Sequence, residues 1–357
     1  MGSLNLGPGT RLMVLAPHPD DDVLAAGGLL QRARAVGADV RVVFVTNGEN
    51  NPWPQRVLER RWRIGPSDRA RFGRHRKAEA LAALQTLGIH AVGTVFLGFP
   101  DQGITGRLLA GGRDITAAIA AEVAQWRPTL IAAPGCGDLH PDHSALAVLT
   151  GLAVDSLPQD RGSIRRVEYL VHTLRPKAPP AASISLPLSP EQRNVKLRAI
   201  LCHASQLKLR PFSVTARAAE SEEFGDPECP ASACGHHPVR ESSVENGALH
   251  FELALRPRLG AFGRATVCLV GWNQSEMRAW LVPLPHVGAW LPRSVEVISA
   301  ATGLQIGQGS YVGGWTRGRL VVPLAALMPA QRLFVKLERR FGFFDEAGWR
   351  EVPQAGI

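Results

Sequence analysis

Short apolar runs alternate with helix-like patterns over the first 176 residues of this 357-residue chain. The runs that predict buried strands are 11–16, 40–46, 92–98, 129–134 and 165–176. Apolar residues at helical spacing predict helices at 23–36, 74–87, 115–126 and 144–157. Strands that alternate with helices pair in parallel, because each helix returns the chain to the same end of the sheet. The sequence therefore predicts an α/β fold, a Rossmann-like and mostly parallel sheet with helices on both faces.

The pattern changes in the second half of the chain. Residues 177–189 are rich in proline and serine and predict irregular structure, and a helix is predicted at 190–205. Further on, the apolar period becomes two, as in "LHFELAL" (249–255), which is typical of a half-buried strand. A chain of this length exceeds one ordinary core. We therefore predict two domains, 1–240 and 246–357, the second a small all-β, sandwich-like domain of unknown role.

Composition favours a soluble globular protein, with 45% hydrophobic and 20% charged residues. The N-terminal "MGSLNLGPGTRLMVLAPHPD" lacks the cationic start and apolar stretch of a signal peptide. No apolar run approaches the roughly 20 residues that cross a bilayer. We expect a cytoplasmic protein.

The cysteines do not predict a disulfide framework, because there are five of them and they are scattered. Cys229 and Cys234, followed by His236 and His237, have ligand residue types but irregular spacing. Whether these four residues bind a second, structural metal is left open by the sequence.

Most of the formal net charge of +9 lies in one stretch, 56–77, which has eight arginines and one lysine against two acidic residues. One interpretation is a solvated, arginine-rich helix. The other is a patch that binds an anionic substrate, a lipid headgroup or a nucleic acid. Because no recognisable nucleic-acid-binding module accompanies the charge, we expect no nucleic-acid partner.

Three successive aspartates follow the first predicted strand in "LAPHPDDDVL", where they repel one another unless a cation lies beside them. The fourth predicted strand is followed by "GCGDLHPDHSA". Ligands of open parallel sheets gather beyond the carboxyl ends of strands, so we expect these segments to face one another. His18, Asp21 and His143 would then supply two imidazoles and a carboxylate, a set suited to zinc with one open position. Each motif alone also has a simpler interpretation, as the cap of the helix that follows it.

Five segments resemble the PIG-L/LmbE family of zinc-dependent N-acetyl-sugar deacetylases: "PHPDDD", "DLHPDH", "RKAEALAALQTLGI", "FLGFPDQG" and "KLRAILCHASQ". The resemblance extends over roughly the first 225 residues, and its paired histidine–aspartate motifs are fairly specific. The chain departs from the family pattern at Asp22, where a glutamate is usual, and by a basic insert around 53–72. The β-rich part beyond residue 245 has no counterpart in the family's minimal enzyme.

The resemblance implies a role for each matched residue. His18, Asp21 and His143 match the zinc ligands, Asp20 the general base, and His140 the histidine that stabilises the oxyanion. We therefore expect one Zn²⁺ per chain, although other divalent metals also suit the ligand set. Zinc can polarise the acetyl carbonyl and lower the pKa of bound water towards about 7. Asp20 would move the proton from water to the leaving amine, and protonated His140 would face the developing oxyanion.

The predicted substrate is an N-acetylglucosamine-type amino-sugar conjugate with an anionic, lipid- or nucleotide-linked aglycone, since the basic stretch is expected at the same sheet edge as the metal. Peripheral association with an anionic membrane surface is a further expected partner interaction. Arg76 is predicted to contact phosphate or hydroxyl groups, and Asp138 to orient a histidine or contact substrate. The other candidate substrate contacts are Asp101, His203 and Gln206.

Two other functions are weighed against deacetylation. Aspartate–histidine clusters on α/β sheets also serve two-metal phosphoesterases, which the metal stoichiometry distinguishes. A non-catalytic sugar- or lipid-binding protein is the third hypothesis, although mere metal binding needs neither Asp20 nor His140. A nucleotide-dependent oxidoreductase is disfavoured, because no G-x-G-x-x-G motif follows the first strand.

Overall fold

The computed structural model describes ten segments of the chain: residues 4–158, 164–173, 183–208, 215–227, 237–255, 265–274, 276–285, 289–314, 316–339 and 343–353. The chain divides into two compact units. The first unit is Met1–Ile104, Ala118–Gly135 and Leu157–Ser232, and the second is Thr105–Ala117, Cys136–Ser156 and Ala233–Ile357. The division follows packing rather than chain order. The domain bounds 1–240 and 246–357 stay a prediction.

The first unit is built on a seven-stranded sheet. Its strands are β1 (Arg11–Ala16), β2 (Asp39–Thr46), β3 (Thr94–Phe99), β4 (Leu130–Pro134), β5 (Arg165–Tyr169), β6 (Ser183–Pro187) and β7 (Ser221–Gly225). The order is β3-β2-β1-β4-β5-β7-β6. The first five strands pair in parallel, and β7 pairs antiparallel with β5 and β6. The predicted Rossmann-like, mostly parallel sheet is confirmed.

Eight helices are described: α1 (Asp21–Ala35), α2 (Pro52–Glu59), α3 (Pro66–Thr86), α4 (Ile104–Leu109), α5 (Arg113–Trp126), α6 (Pro141–Asp155), α7 (Pro190–Leu201) and α8 (Ala204–Leu207). α3 begins eight residues before the predicted start at residue 74, because Pro66 opens it and Asp68 Oδ2 accepts the Gly65 N–H. None of the described helices combines the length and the apolarity that crossing a bilayer requires.

Residues 183–187 were predicted to be irregular, but they form β6. Ile184 and Leu186 are buried and the serine between them is exposed, so the segment has the period of a strand despite its proline and serine content. β7 was also not predicted. Its sequence, "SEEFG", carries two glutamates and is depleted in the residues that favour strands.

The core of the first unit covers both faces of its central strand. Every residue from Leu12 to Ala16 in β1 is fully buried, as expected of a parallel strand packed on two sides. On one face, Val14 and Phe44 belong to the same apolar cluster as Leu29 of α1 and Leu84 of α3. This packing fixes the ends of β1 and its neighbours, from which the candidate site extends.

The second unit contains one nine-stranded antiparallel sheet. Its strands are β8 (Val239–Glu245), β9 (Ala248–Ala254), β10 (Thr266–Asn273), β11 (Glu276–Pro283), β12 (Ala289–Ser299), β13 (Gln305–Gly313), β14 (Arg317–Pro323), β15 (Arg332–Glu338) and β16 (Arg350–Glu351). The order is β16-β15-β10-β11-β12-β13-β14-β9-β8. Arg350 Nη1 of β16 donates to the carbonyl oxygens of Val239 and Arg240 in β8, at 2.7 and 2.9 Å. The sheet therefore curls until its end strands meet, and the prediction of an all-β part is confirmed.

Candidate functional site

The sheet places two polar loops at one edge. β1 and β4 are parallel neighbours, with Leu12 opposite Leu130 and Val14 opposite Ala132, so the chain leaves both strands on the same side. The strand order reverses between them, since β2 and β3 continue in one direction and β5 in the other. Ligands of doubly wound sheets bind at this position. The segment after β1 carries His18, and the segment after β4 carries His140.

In the first unit, both ring nitrogens of His18 face carboxylates. Asp21 Oδ2 accepts the backbone N–H of His18 at 2.9 Å and lies 3.0 Å from its Nδ1. Asp101 Oδ1, from the segment after β3, lies 3.1 Å from its Nε2. All three side chains are buried. The structure thus gathers two predicted metal ligands and adds Asp101 as a contact of one of them.

Asp101 is held as a carboxylate by its neighbours. Burial raises the pKa of Asp101, but the His18 hydrogen bond and charge, with smaller contributions from Arg76 and the Asn50 amide, lower that pKa below its ordinary value. The Asn50 N–H donates to Asp101 Oδ2 at 2.8 Å. These contacts assign Asp101 to the support of His18, while its predicted contact with a sugar hydroxyl stays a prediction.

Asp20 is held by Arg76. Arg76 Nη2 lies 3.0 Å from Asp20 Oδ1, and the guanidinium also donates to the carbonyl oxygens of Gly48 and Pro19. Gly48 has a φ of +63°, and a Cβ there would lie 1.9 Å from Arg76 Nη1, so glycine is required on both counts. Arg76 is only 3% exposed. This burial favours the positioning of Asp20 over the phosphate contact predicted for Arg76.

One turn further along α3, Glu79 anchors the "HASQ" segment at α8. Its carboxylate accepts the backbone N–H of Ser205 at 2.8 Å and the Ser205 hydroxyl at 2.6 Å. Gln206 Oε1 accepts from Asn51 Nδ2 at 3.3 Å, which connects α8 to the loop after β2. Arg76 and Glu79 therefore give the "RKAEA" pattern two separate structural purposes.

His203 lies at the start of the same segment and is 1% exposed. Neither of its ring nitrogens has a hydrogen-bond partner within the described segments. Burial lowers the pKa of His203, and the charge of Asp20, the next largest effect, partly opposes that shift. His203 is therefore an uncharged imidazole in the interior. Its contact with substrate, like that of Gln206, stays a prediction.

The third aspartate of the acidic run, Asp22, differs from the other two. Burial raises the pKa of Asp22 well above its ordinary value, and the charges of Asp20 and Asp21 raise it further, whereas the Val23 amide lowers it. A protonated Asp22 removes one of three adjacent negative charges. The run is therefore less repulsive than its sequence indicates.

In the second unit, Asp138 aligns both histidines of "DLHPDH". Asp138 Oδ1 accepts the backbone N–H of His140 at 2.9 Å, and its Oδ2 lies 3.2 Å from Nδ1 of His143. Asp138 and His143 are fully buried. A carboxylate behind one ring nitrogen orients the other nitrogen towards a metal in many protein sites. The predicted orienting role of Asp138 matches this geometry.

His140 precedes α6 as its N-cap, and its Nδ1 accepts the backbone N–H of Asp142 at 3.2 Å. Because Nδ1 accepts, the ring proton of the neutral form lies on Nε2. A neutral His140 can thus donate a hydrogen bond, whereas the sequence argument assumed a protonated ring. The rings of His140 and His143 lie 4.8 Å apart.

Helix capping alone does not account for both motifs. At α1 the N-cap is Asp20, whose side chain makes no capping hydrogen bond. At α6 a histidine forms the cap, not an aspartate. The donor set instead fits a divalent metal, since buried imidazole nitrogens and carboxylate oxygens with carboxylates behind them are typical of zinc sites.

One candidate ligand was missed. His172 follows β5 at the same sheet edge, and one of its ring nitrogens lies within 4.8 Å of a carboxylate oxygen of Asp21. The sequence argument placed residue 172 inside a longer strand, 165–176, although β5 ends at Tyr169. Applying the strand-end rule to β5 would have identified it.

The possible second metal group falls mainly outside the description. Cys229, Cys234 and His236 lie outside the described residues. His237 is described, and both of its ring nitrogens are engaged by backbone: Nδ1 accepts the Val239 N–H at 3.1 Å, and Nε2 lies 3.2 Å from the Gly348 oxygen. Burial lowers the pKa of His237, so it is neutral in this arrangement.

Comparison with known proteins identifies related sequences. Residues 13–154 match the model of the PIG-L family, described as GlcNAc-PI de-N-acetylase. A 1D-myo-inositol 2-acetamido-2-deoxy-alpha-D-glucopyranoside deacetylase of Mycolicibacterium smegmatis is 31% identical over 166 residues, 43% of this chain and 56% of the relative. The enzyme of the same name from Rhodococcus jostii is 34% identical over 161 residues, 41% of this chain and 53% of the relative. The chain thus spans about half the length of these curated relatives.

Among solved structures, a conserved protein from Thermus thermophilus is 28% identical, with a TM-score of 0.45 over 60% of this chain and 94% of that one. A deacetylase of the teicoplanin biosynthesis pathway is 21% identical, with a TM-score of 0.47 over 60% of this chain and 96% of that one. The family match covers most of β1 and of α6, and thus both histidine–aspartate motifs. Residues 13–154 are a PIG-L domain, and through them the chain belongs to the PIG-L family.

Proposed function

We propose that this protein hydrolyses the acetamide of an N-acetylated amino sugar, with a divalent metal, zinc by its donor chemistry, held by His18, Asp21 and His143. The observation that carries the proposal is the pair of carboxylate-supported imidazoles in the loops after two adjacent parallel strands. The family match and the names of the curated relatives, which are deacetylases of a 2-acetamido-2-deoxy-glucopyranoside, support the same reaction.

The chain's own residues divide the chemistry between them. When bound, the metal supplies a Lewis acid that polarises the amide carbonyl and makes a water more acidic. Asp20, fixed by Arg76, accepts the proton of the attacking water and passes it to the leaving amine nitrogen. His140 donates from Nε2 to the oxygen on which negative charge develops. Asp138 holds His143, and Asp101 holds His18.

The proposed substrate carries an anionic aglycone. Four exposed arginines of the basic stretch have no ion-pair partner among the described residues: Arg60, Arg63, Arg69 and Arg74. The stretch continues directly from the loop after β2, in which Asn50 contacts Asp101. Substrate phosphate or diphosphate is the ligand that such a cluster attracts. These observations support a lipid-linked conjugate, which the next feature also favours.

An exposed aromatic pair lies within the basic stretch. Trp53 and Trp62 are 58% and 74% exposed, and the Arg56 guanidinium lies 4.7 and 5.0 Å from their ring centroids. Indole rings prefer the interface between lipid and water, and basic residues are attracted to anionic lipids. We include in the proposal that this pair, the Trp53–Trp62 surface, docks on an anionic membrane.

The deciding experiment measures acetate release from a panel of N-acetylglucosamine conjugates, with chelator and after zinc is restored. We expect release that chelator abolishes and zinc restores, with one metal per chain. Asp20→Ala should keep zinc and lower kcat by about 10²- to 10⁴-fold, and His143→Ala should lose both zinc and activity. The exposed Asp114→Ala serves as a control with wild-type activity. Failure to release acetate from any conjugate, with two metals per chain, would favour a phosphoesterase.

A further inference from the structure

Two phenylalanines from the β-rich part of the chain lie against the candidate oxyanion residue. The ring of Phe343 meets the His140 imidazole edge to face, with centroids 4.7 Å apart and planes at 65°. Phe344 does so at 5.9 Å and 75°. All three residues belong to the second unit. Both phenylalanines come from the segment between β15 and β16, about 200 residues after His140 in the sequence.

Specific contacts fix this segment, 343–349, against the loop that carries His140. The Asp345 N–H donates to the Leu139 carbonyl oxygen at 2.9 Å. A Cβ at position 348 would lie 1.8 Å from the Cys136 oxygen and 2.8 Å from the Asp138 oxygen, so only glycine permits this approach. The two backbones are therefore in direct contact on both sides of Asp138.

A buried charge pair anchors the same segment to the sheet. Lys336 of β15 pairs with Asp345, and both side chains are buried. Trp349, at the far end of the segment, is also buried, and Lys336 Nζ lies 5.8 Å from its ring centroid. A lysine and an aspartate are rarely buried unless they are paired. The position of the segment is thus determined by the fold and not by chance surface packing.

Phe343 is nevertheless 43% exposed, while His140 beside it is buried. Exposed large apolar residues in the described part of the second unit are few, and Phe343 is the one that contacts a candidate catalytic residue. Single exposed apolar residues need no special explanation. An exposed ring held by a buried ion pair next to a predicted oxyanion donor, however, has the surroundings of a ligand contact.

We propose that Phe343 is a substrate-contact residue, which packs against an apolar surface of the substrate next to the scissile amide. Two parts of an N-acetylated sugar offer such a surface: the acyl group and the C–H face of the ring. Covering a phenyl ring is worth about tenfold or more in affinity. The β-rich part of the chain thereby takes part in substrate recognition. This inference rests on the proposed function for the identity of the substrate.

The test compares wild type with Phe343→Ala, Phe343→Leu and the control Leu291→Ala, another exposed apolar residue of the second unit. We expect Phe343→Ala to raise KM about tenfold and to change kcat by less than about twofold. Phe343→Leu should recover most of the loss, and Leu291→Ala should match wild type. Melting temperatures within about 2 °C of wild type would exclude a merely structural effect.

A series of N-acetyl, N-propionyl and N-butyryl substrates separates the two surfaces. If the acyl group is the contact, Phe343→Ala changes the ratio of KM values along the series. If the sugar is the contact, KM rises equally for all three substrates, and the deacetylated amino sugar also binds more weakly in calorimetry.

Calorimetry of the N-acetyl conjugate keeps the inference separate from the reaction. Wild type that binds the conjugate but releases no acetate, with binding about tenfold weaker in Phe343→Ala, would refute the proposed function and support the contact. Equal dissociation constants and equal KM values in wild type and Phe343→Ala would overturn the inference.

Discussion

The guanidinium of Arg76 reaches the carboxylate of Asp20 from the interior of the first unit, with 3.0 Å between Nη2 and Oδ1. The same side chain binds the carbonyl oxygens on either side, at Pro19 and Gly48. A buried arginine with three fixed contacts holds its partner in one orientation. The general base that we propose is thus positioned by a helix, α3, that lies outside its own loop.

Replacing Arg76 should therefore impair turnover more than binding. Arg76→Lys keeps the charge but loses the planar donor array, and we expect kcat to fall about 100-fold, with KM and metal content nearly unchanged. The control Gln85→Ala removes an exposed side chain of the same helix and should have no effect. Steady-state kinetics and metal analysis check this, and a kcat equal to that of wild type would contradict it.

Gly48→Ala offers an independent route to the same contact. The new Cβ would displace Arg76 Nη1, and the positive φ adds strain, so we expect lower kcat and lower stability. In an Arg76→Ala background, the kcat effect of Gly48→Ala should largely disappear. A double-mutant cycle measures this coupling. Fully additive effects on kcat would show that Gly48 acts through something other than Arg76.

Asp138 should control metal affinity. Asp138→Asn keeps an oxygen for the His140 amide but loses the negative charge beside His143 Nδ1. We expect zinc affinity to fall about 10- to 100-fold without loss of the fold. Competition titration with a chromophoric chelator measures the affinity, and Asp114→Asn is the matched control. Unchanged affinity in Asp138→Asn would argue against His143 as a ligand.

The Trp53–Trp62 surface predicts selective binding to anionic vesicles. Wild type should sediment with phosphatidylglycerol vesicles and not with phosphatidylcholine alone, and added salt should weaken the association. Trp53→Ala/Trp62→Ala should reduce binding at least about tenfold. Val92→Ala, which removes another exposed apolar residue of the first unit, should not. Equal binding by the double variant would exclude this surface as the docking site.

A buried ion pair stabilises the first unit. Lys196 Nζ lies 2.6 Å from Glu222 Oε1, and Glu222 also accepts the backbone N–H groups of Gly28 and Leu29. Glu222→Gln leaves the lysine charge buried without its counter-charge, so the free energy of unfolding should fall by about 3–5 kcal/mol. Denaturant titration measures it. The exposed Glu220→Gln should change it by less than about 0.5 kcal/mol, and a similar loss in both variants would contradict the argument.

Cys268 gives a pH-dependent signature. Burial, with a smaller effect of the Glu338 charge, raises the pKa of the Cys268 thiol from 9.0 to about 12. The folded state therefore keeps a proton that the unfolded state loses. This contribution to stability is constant below pH 9 and is lost as pH rises towards 12. Cys268→Ala should flatten the decline of the unfolding free energy in this range, and an unchanged slope would refute it.

The parallel part of the fold could be predicted because its strands are uniformly apolar. β1 to β5 appear in the sequence as buried runs, and their carboxyl ends locate His18 and His140 without further information. β6 and β7 are short, partly polar strands at one side of the sheet, and local composition outweighed their alternating pattern. Periodicity therefore identified the centre of the sheet and not its margin.

The contacts within the site depend on packing that spacing alone does not encode. Asp101 reaches His18 although β2 separates their strands, and Arg76 reaches Asp20 from a helix. Phe343 had no signal at all, because a phenylalanine in an antiparallel region is an ordinary core residue by type. Residue types that carry chemistry were found from the sequence, whereas the residues that position them were mostly not.

The glycine at position 348 limits how this gene can be rearranged. Its backbone lies against the carbonyl oxygens of Cys136 and Asp138, so the last tenth of the polypeptide closes around a loop from its first half. A shortened product that stopped at residue 240 would leave the Leu139 carbonyl without its donor and His140 without its aromatic neighbours. The β-rich sequence is therefore not a detachable module that recombination could exchange between relatives. It has to be inherited together with the loop that it encloses.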